Sequence, residues 1–558
     1  KRQVDTSPPV LTLAGDAVMT LYAGTDTYSE PGATATDLVD DSVAVVIGGD
    51  AVDATTPGTY LVTYDATDSD GFAAEQVTRT VYVTRPVYFV DADAPDGGDG
   101  SSWATAFNKL QDALDLTAPR TKQYFGNDQE VWVAAGTYYP DEGTGQSDGD
   151  RTSTFLVKTG ITLYGGFAGT ETALNQRDPD TNLTILSGDI DQNDTGSPGA
   201  GNAYHVVTML DPATYTANKG EIVVDTILDG FTITGGKADG TAPHDTGGGV
   251  LATGTEPDDA TILNCRILGN VAKNGAGVAM PDVSWLSIST SEIRDNHAEL
   301  DGGGIYVRES NTKLNLSTVR LESNTATRGG GLYFDSINSP DSTGSALVEY
   351  CHVRGNQASD TGGGIHVGLG RVRLITCLMS GNAAGGNGGG IFAEEAEFVL
   401  EFSTLAGNRA AGQGGALFGE TPGALSCEKS LIWGKEDASG AGAPGGSIAG
   451  GVTGSASFTT SLVEGYAPGG DNLDGTLAAN DPAFVASEAP SNAPSVDGDY
   501  HLTWGSPVIG VAPGSGVDLD FVARGTTADI GAYEYVSAYA VWAAASGLTS
   551  GVNDAPGD

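Results

Sequence analysis

A short motif recurs through residues 247–418 and limits the possible folds of this chain more than any other feature. Each unit contains an apolar residue, two variable residues and an asparagine, followed after five or six residues by a glycine group and a branched apolar residue. The asparagines, separated by 26, 28, 32, 26 and 26 residues, are Asn270, Asn296, Asn324, Asn356, Asn382 and Asn408. A period of this size predicts stacked supersecondary units rather than one globular core.

The units are predicted to consist of strands. Glycine interrupts each unit every few residues and the apolar residues alternate, whereas a helix needs ten or more residues with a period of 3.6. The third and eighth residues before each asparagine, and the residue after each glycine group, are aliphatic in nearly every unit. Like positions of successive units are therefore expected to stack in a parallel β-helix, with Ile305, Leu332 and Ile365 lying one above another.

The asparagines and glycines have separate physical roles in such a fold. An inward asparagine at a corner can bond the turn backbone and the next asparagine along the axis, while glycine supplies a positive φ at another corner. On these residues, the stretch resembles the repeats of polymorphic outer-membrane proteins. The segments 131–138, 164–172 and 228–236 are similar to secreted right-handed β-helix proteins of environmental bacteria. The resemblance implies a right-handed parallel β-helix in a secreted, extracellular or cell-surface protein.

Four regions are predicted along the chain. Residues 1–85 carry short strand patterns separated by turn residues, and the pieces 28–33, 57–60 and 68–71 resemble Ig-like modules of bacterial surface proteins. The resemblance implies a small β-sandwich that acts as a spacer. Residues 86–130 are predicted to cap the open end of the β-helix, with an amphipathic helix from Trp103 to Leu116. The β-helix is expected over 131–535, followed by a linker or tail over 536–558.

The charge balance excludes some partners. Lysine and arginine number 26 against 72 aspartate and glutamate residues, so the formal net charge is −46. Such a field repels nucleic acids and anionic membranes, and we expect neither nucleic-acid binding nor direct membrane insertion. Glycans or surface proteins are the expected partners, and self-association is a further expectation. The chain shows no signal peptide and no initiating methionine, so we expect a processed piece of a surface-attached protein.

One candidate site is a group of arginines predicted to point outward from a single sheet. Its members are Arg266, Arg294, Arg320 and Arg354. Arginine binds carboxylate and sulfate groups through two parallel hydrogen bonds, which suits acidic glycans. The alternative is a solvated ladder, because arginine and glutamate alternate along these positions and exposed pairs contribute little.

A second candidate site is a predicted outward file of rings that follows the glycine groups. It consists of Tyr306, Tyr333, His366 and Phe392, and it continues to Phe418. Consecutive exposed rings could stack on sugars, since large exposed apolar surfaces usually mark binding sites. The alternative is that long loops, such as residues 335–344, cover the rings.

A third candidate site is a calcium site in an acidic run. Asp189, Asp191, Asn193 and Asp194 place oxygen ligands at alternating positions, a spacing that can wrap a calcium ion. The downstream glutamate of an EF-hand loop is missing, and an ordinary acidic insertion loop is the alternative.

Three functions remain open from the sequence. The favoured one is a non-catalytic extracellular protein acting in adhesion or glycan binding. The second is a polysaccharide lyase or glycoside hydrolase on acidic glycans, for which Arg320 and Tyr333 are candidate residues. Hydrolysis needs two carboxylates, whereas outward aspartates are nearly absent and the Asp-Asp and Gly-His-Gly signatures of polygalacturonases are missing. The third is a structural subunit of a surface layer or filament.

Overall fold

The computed structural model describes most of the chain. It covers residues 7–536 except 24–25, 41, 118–128, 210–225, 254–258, 282–284, 309–311, 337–344, 421–424, 441–445 and 452–455.

The N-terminal region is a small β-sandwich. Its two sheets are an antiparallel pair, Val10–Leu13 with Ala33–Thr36, and a four-stranded sheet of Val18–Tyr22, Val77–Thr84, Gly58–Ala66 and Val45–Gly49. Alternate residues of the longer strands point inward, so that Leu21, Val62, Tyr64, Val81 and Val83 form its core. The sandwich predicted from the sequence is therefore present, and its strands lie within residues 10–84.

Three parallel sheets run along the rest of the molecule and form a β-helix. Sheet I comprises Val87–Val90, Gln129–Ala134, Phe155–Val157, Ile161–Phe167, Val207–Met209, Thr226–Asp229, Val250–Ala252, Asp259–Leu263, Val278–Met280, Trp285–Ser289, Ile305–Arg308, Lys313–Ser317, Leu332–Asp335, Ser345–Glu349, Ile365–Ile375, Ile391–Glu401, Leu417–Gly419, Leu425–Glu428, Ile448–Gly450 and Ser457–Thr459. Sheet II comprises Gly136–Tyr138, Thr184–Ser187, Phe231–Thr234, Arg266–Leu268, Glu292–Arg294, Arg320–Glu322, His352–Arg354, Leu378–Ser380, Thr404–Ala406, Leu431–Trp433 and Leu462–Val463. Sheet III comprises Lys237–Ala238, Val271–Asn274, His297–Asp301, Thr325–Arg328, Gln357–Thr361, Ala383–Ala384 and Arg409–Ala410.

Sharp corners separate the sheets of each coil. Between sheets I and II, one residue per coil adopts a left-handed conformation, with φ between 45° and 58°; these residues are Asn264, Thr290, Thr318, Tyr350, Thr376, Phe402, Lys429 and Thr460. The first residue of each glycine group, such as Gly302 with φ 64°, makes the same bend before sheet I. Glycine adopts this conformation without steric cost, which explains its recurrence there.

The predicted stacking of like positions is confirmed. Ile305 pairs with Leu332, and Leu332 pairs with Ile365, each one coil apart in sheet I. The same register holds in sheet II, where Ile293 pairs with Leu321. These side chains are at most 1% exposed and belong to one continuous core. Each coil alone would leave its apolar side open, so burial of the core depends on stacking.

The repeated asparagines form a hydrogen-bonded ladder inside the corner between sheets II and III. Each side-chain amide donates to the amide oxygen of the next asparagine, from Asn270 through to Asn408, at 2.9–3.1 Å. The same amide also donates to a backbone carbonyl of the preceding coil, as Asn324 does to Ile293 at 2.9 Å. All six asparagines are at most 1% exposed, and their buried polar atoms are thereby satisfied.

A short helix closes the N-terminal end of the core. The α-helix Leu110–Leu116 buries Leu110, Ala113 and Leu114 against the first strands. It is shorter than predicted, because Trp103–Thr105 is a single 3₁₀ turn. Phe107 then bonds as a strand would, donating its backbone N–H to Phe89 at 3.0 Å and accepting from Asp91 at 2.8 Å. Pairing with the strand Val87–Val90 thus replaces the first turns of the expected helix.

The β-helix ends earlier than predicted. Leu462–Val463 is the last strand of sheet II, and the chain then folds back across the outer face of that sheet. This returning segment, residues 464–536, contains 3₁₀ turns and two antiparallel pairs; these elements are Ala478–Asn480, Phe484–Ala486, Pro490–Asn492, Asp499–Leu502, Ala512–Pro513 and Thr527–Ala528. Ser495 donates to Gly381, and Gly531 to Lys429, each at 2.9 Å. The predicted tail, apart from Val536, lies outside the described residues.

Candidate functional site

The outer face of sheet II is covered at both ends and open in between. Residues 168–183, an insertion before Thr184–Ser187 that contains the 3₁₀ turn Leu174–Gln176, form one wall. The returning segment forms the other, where Arg354 donates to the carbonyls of Val496 and Gly498 and Phe521 stacks on Tyr350 at 5.6 Å. Between the walls lies an open window, defined as the strands Arg266–Leu268, Glu292–Arg294, Arg320–Glu322 and His352–Arg354.

A groove of about 620 Å³ runs along the insertion side of this window. Its lining includes Arg177, Pro179, Asp180, Arg266, Glu292 and Arg320. The guanidinium of Arg177 anchors the wall to the β-helix. It forms an ion pair with the largely buried carboxylate of Asp229 at 2.5 Å and donates a hydrogen bond to the carbonyl of Gly165 at 3.1 Å. The groove is therefore preformed rather than dependent on a loose loop.

All four predicted arginines lie on the strands of the window, and three of them pair with carboxylates rather than with the returning segment. Arg266 and Arg294 are 38% exposed and Arg320 is 57% exposed. Each has a carboxylate neighbour: Arg266 bonds Asp180 at 2.5 Å, Arg294 lies 3.0 Å from Glu292, and Arg320 lies 3.7 Å from Glu322. The fourth, Arg354, instead holds the returning segment through the carbonyls of Val496 and Gly498.

The far side of the window holds titratable groups with shifted pKa values. Burial raises the pKa of the Glu322 carboxyl, and one of its oxygens has no hydrogen-bond partner among the described residues. Burial, assisted by Arg320 and Arg354, lowers the pKa of His352 to about 4. Two groups with perturbed pKa values on adjacent strands make this side of the window a candidate functional site.

The returning segment contributes a histidine that the repeat pattern gives no reason to expect. The ring of His501 lies between two carboxylates, 2.5 Å from Asp499 and 2.6 Å from Asp520, and packs on Tyr533. Partial burial opposes protonation, but the hydrogen bonds that the ring donates to Asp520 and Asp499 outweigh it and raise the pKa of His501.

The predicted ring file exists, but it is not an open platform for sugars. Ring centroids of Tyr306, Tyr333, His366, Phe392 and Phe418 follow one another at 4.9–5.6 Å, nearly parallel. The rings are at most 9% exposed, because each covers the face of its neighbour. Corners of sheet III cover them further: the guanidinium of Arg328, paired with Asp301, lies 5.0 Å from the Tyr333 ring.

This burial corrects the interpretation of Tyr306, Tyr333, His366 and Phe392 as ligand-binding residues. Their ring faces are occupied within the protein, and His366 is fully buried with Nδ1 3.0 Å from the Thr361 hydroxyl. The proposed cover at 337–344 lies outside the described residues. Arg320 and Tyr333, the candidate residues for an elimination, lie on different sheets, II and I.

The acidic run predicted to bind calcium lies in an insertion between Thr184–Ser187 and Val207–Met209. The two carboxylate oxygens of Asp189 accept the backbone N–H groups of Asn193 and Asp194 at 3.0 and 3.2 Å. Asp194 accepts from the Gly199 N–H and the Asn202 amide. Among the described residues, no group of three or more His, Cys, Asp or Glu side chains is placed to hold a metal. Calcium binding here stays a prediction.

The coils and the sandwich together define the class of this molecule: a right-handed parallel β-helix preceded by an Ig-like module. Comparison with protein families agrees with both parts. Residues 225–418 match the family described as right handed beta helix region, and residues 11–83 match bacterial surface protein, Ig-like domain. The resemblance inferred from the sequence is thus confirmed for fold.

Two further comparisons add little about activity. A solved exopolygalacturonase of family 28 from Yersinia enterocolitica is similar at 12% identity, with 73% of this chain and 83% of that chain covered. Its TM-score of 0.20 is too low to support any inference. No curated protein matches the chain. None of the described helices has the length and apolar character required to cross a membrane.

Proposed function

We propose that the protein is a secreted or cell-surface protein that binds acidic glycans in the open window of sheet II. The observation that carries the proposal is the exposure of Arg266, Arg294 and Arg320 on adjacent strands, with Arg266 and Arg320 lining the walled groove. Arg266 and Arg320 pair with Glu292 from either side, so they lie two strands, about 9.6 Å, apart, and Arg294 lies two residues further along the middle strand. The three guanidinium groups therefore form a triangle on one face of the sheet. An extended polyanion could contact several of them at once.

The carboxylate partners of these arginines are compatible with binding. A guanidinium has five N–H donors, and an ion pair with one carboxylate leaves several of them available. Partly exposed pairs also contribute little on their own, so exchanging a partner for a glycan carboxylate or sulfate has a small cost. Glu292 and Glu322 hold the arginine side chains over the sheet, which reduces the conformational entropy lost on binding.

The Ig-like match to bacterial surface proteins supports a location outside the cell. An acidic surface is compatible with that location, because the long-range repulsion between a charge of −46 and a polyanion is screened within about 8 Å at 0.15 M salt. Short-range contacts in the groove then decide binding.

The test is titration calorimetry of the full chain with uronate-rich and sulfated polysaccharides at about 0.15 M salt. Arg320→Glu is expected to weaken binding by about tenfold to a hundredfold, since a hydrogen bond to a charged group contributes about 1.5–3 kcal/mol. Arg371→Glu is the matched control, because Arg371 is 55% exposed and paired with Glu397 at 2.5 Å on sheet I. Equal losses in both variants would show nonspecific charge effects and contradict the proposal.

A second candidate function is cleavage of the same glycans. The observation that favours it is Glu322, a carboxyl with a raised pKa beside Arg320 in the window. A carboxyl group whose pKa is raised by burial is better suited to donate a proton to a leaving group than an exposed one. New reducing ends or unsaturated ends, produced by the native chain and lost in Glu322→Gln while binding persists, would establish this activity. Binding without new ends would reject it.

A further inference from the structure

The insertion over residues 188–202 closes on itself through side-chain bonds to its own backbone. Asp189 and Asp194 each accept backbone N–H groups, and Asn202 ties the insertion to the turn at Gly235. Asn202 is fully buried beneath the insertion. The loop therefore has a defined shape in which side-chain oxygens take fixed positions.

One of these oxygens has no partner. The amide nitrogen of Asn202 donates to Asp194 Oδ2 at 2.8 Å and to the carbonyl of Gly235 at 2.6 Å, which sets the orientation of the amide. Its Oδ1 is buried and has no hydrogen-bond partner among the described residues. A buried acceptor left unpaired costs about 1–3 kcal/mol, so a ligand that binds this oxygen would stabilise the loop.

Two further oxygens point at the same place. A Cβ atom placed on Gly199 would lie 2.9 Å from Asp194 Oδ1, 3.2 Å from Asn202 Oδ1 and 3.5 Å from Asn193 Oδ1. Oxygens of three side chains thus surround the space beside Gly199, which is open because glycine has no side chain. Carboxylate and amide oxygens are the ligands that calcium prefers.

We propose that Asn193, Asp194 and Asn202 bind a calcium ion beside Gly199. This assignment keeps Asn193 and Asp194 of the sequence-predicted set and adds Asn202, which lies outside the acidic run. Asp189 is left out, because the three atoms nearest the space beside Gly199 are oxygens of Asp194, Asn202 and Asn193. Asp191, folded against Gly201, adds negative charge to the same loop.

A cation close to the site limits the affinity. Lys237 Nζ donates to the carbonyl of Pro198 at 3.2 Å, on the residue before Gly199. With one carboxylate ligand and this neighbour, the site belongs among weak extracellular calcium sites, with a dissociation constant of roughly 10⁻⁴–10⁻³ M. Occupancy would fasten the insertion to the Gly235 turn and satisfy Asn202.

The experiment measures calcium binding to the full chain by equilibrium dialysis at about 0.15 M sodium chloride, which suppresses diffuse binding to the acidic surface. The variants are Asn193→Ala, Asp194→Asn and Gly199→Ala. Asn193 is exposed, so its replacement leaves the fold intact, and Gly199 has no positive φ, so alanine fits its backbone while filling the site. Asp178→Asn is the control for loss of one loop carboxylate that accepts backbone N–H groups.

The native chain and Asp178→Asn are expected to bind one ion more than Asp194→Asn and Gly199→Ala in the millimolar range. Asn193→Ala is expected to weaken that site by about tenfold. The thermal midpoint of the native chain should also rise with calcium, and the Gly199→Ala chain should lose this rise. Equal stoichiometry and affinity in all chains, or no binding by the native chain below 10 mM, would overturn the proposal.

Discussion

Replacing Asn324 by alanine tests the asparagine ladder where its bonds are best defined. The side chain donates to the Ile293 carbonyl at 2.9 Å and to Asn356 Oδ1 at 3.1 Å. It accepts from the backbone N–H and the amide of Asn296 at 3.1 and 3.0 Å. Four buried bonds at about 0.5–1.5 kcal/mol each predict a loss of about 2–6 kcal/mol in the free energy of unfolding.

Two comparison variants make this prediction specific. Asn408→Ala removes three bonds, one donated to Met379 and two accepted from Asn382, so its loss should be smaller. Asn315→Ala changes a half-buried asparagine on the outward side of the strand Lys313–Ser317 and should cost under about 0.5 kcal/mol. The ranking follows directly from the number of buried bonds.

Urea unfolding followed by circular dichroism measures the ranking. Hydrogen exchange of the peptides that contain Asn296 and Asn324 locates the opening, because long repeat arrays can unfold in stages. An Asn324→Ala chain within about 1 kcal/mol of Asn315→Ala would refute the idea that the ladder stabilises the coils.

Three other predictions concern the left-handed residues at the corners, the loss of stability at low pH and the reactivity of the cysteines. Thr290→Gly should raise the free energy of unfolding by about 0.5–1 kcal/mol in urea titrations, since Thr290 has a φ of 48°, and a decrease would contradict the strain at this corner. Burial lowers the pKa of His205 and His352 to about 4, below the unfolded value of 6.5. Their contribution to stability is therefore complete above pH 6.5 and lost as the pH falls towards 4; His352→Asn should flatten the measured dependence. The four cysteines are free and buried, and burial raises the pKa of Cys265 and Cys427 to about 12, so thiol reagents should react only as fast as the chain unfolds.

The coils could be predicted because each repeated residue has a local physical reason. A buried asparagine needs partners at fixed spacing, and Gly302 occupies a corner that bends to a positive φ. These demands recur every coil, so the period alone specifies which residues stack. The alignment of Ile305, Leu332 and Ile365 follows from that period.

The parts that the sequence analysis missed depend on contacts between distant segments. The fold-back of residues 464–536 has no repeat, yet outward residues of sheet II change from charged at Arg320 to apolar at Leu378 and Leu431 where it packs. That change from charged to apolar outward residues indicates that the later strands of sheet II are covered. The burial of the ring file depends on neighbours in three dimensions, which alternation along a strand does not specify.

The side-chain amides of the ladder all point in the same direction along the axis. One coil, counted from the residue after one asparagine to the next asparagine, is therefore a complete repeating unit, or cassette. Excising residues 271–296 would place the donor of Asn270 opposite the acceptor of Asn324, with the same chemistry as before. Duplicating such a cassette would likewise preserve every bond, whereas inserting a fraction of one would interrupt the chain of amides. The length of this molecule is therefore free to change by copy number, in steps of whole cassettes.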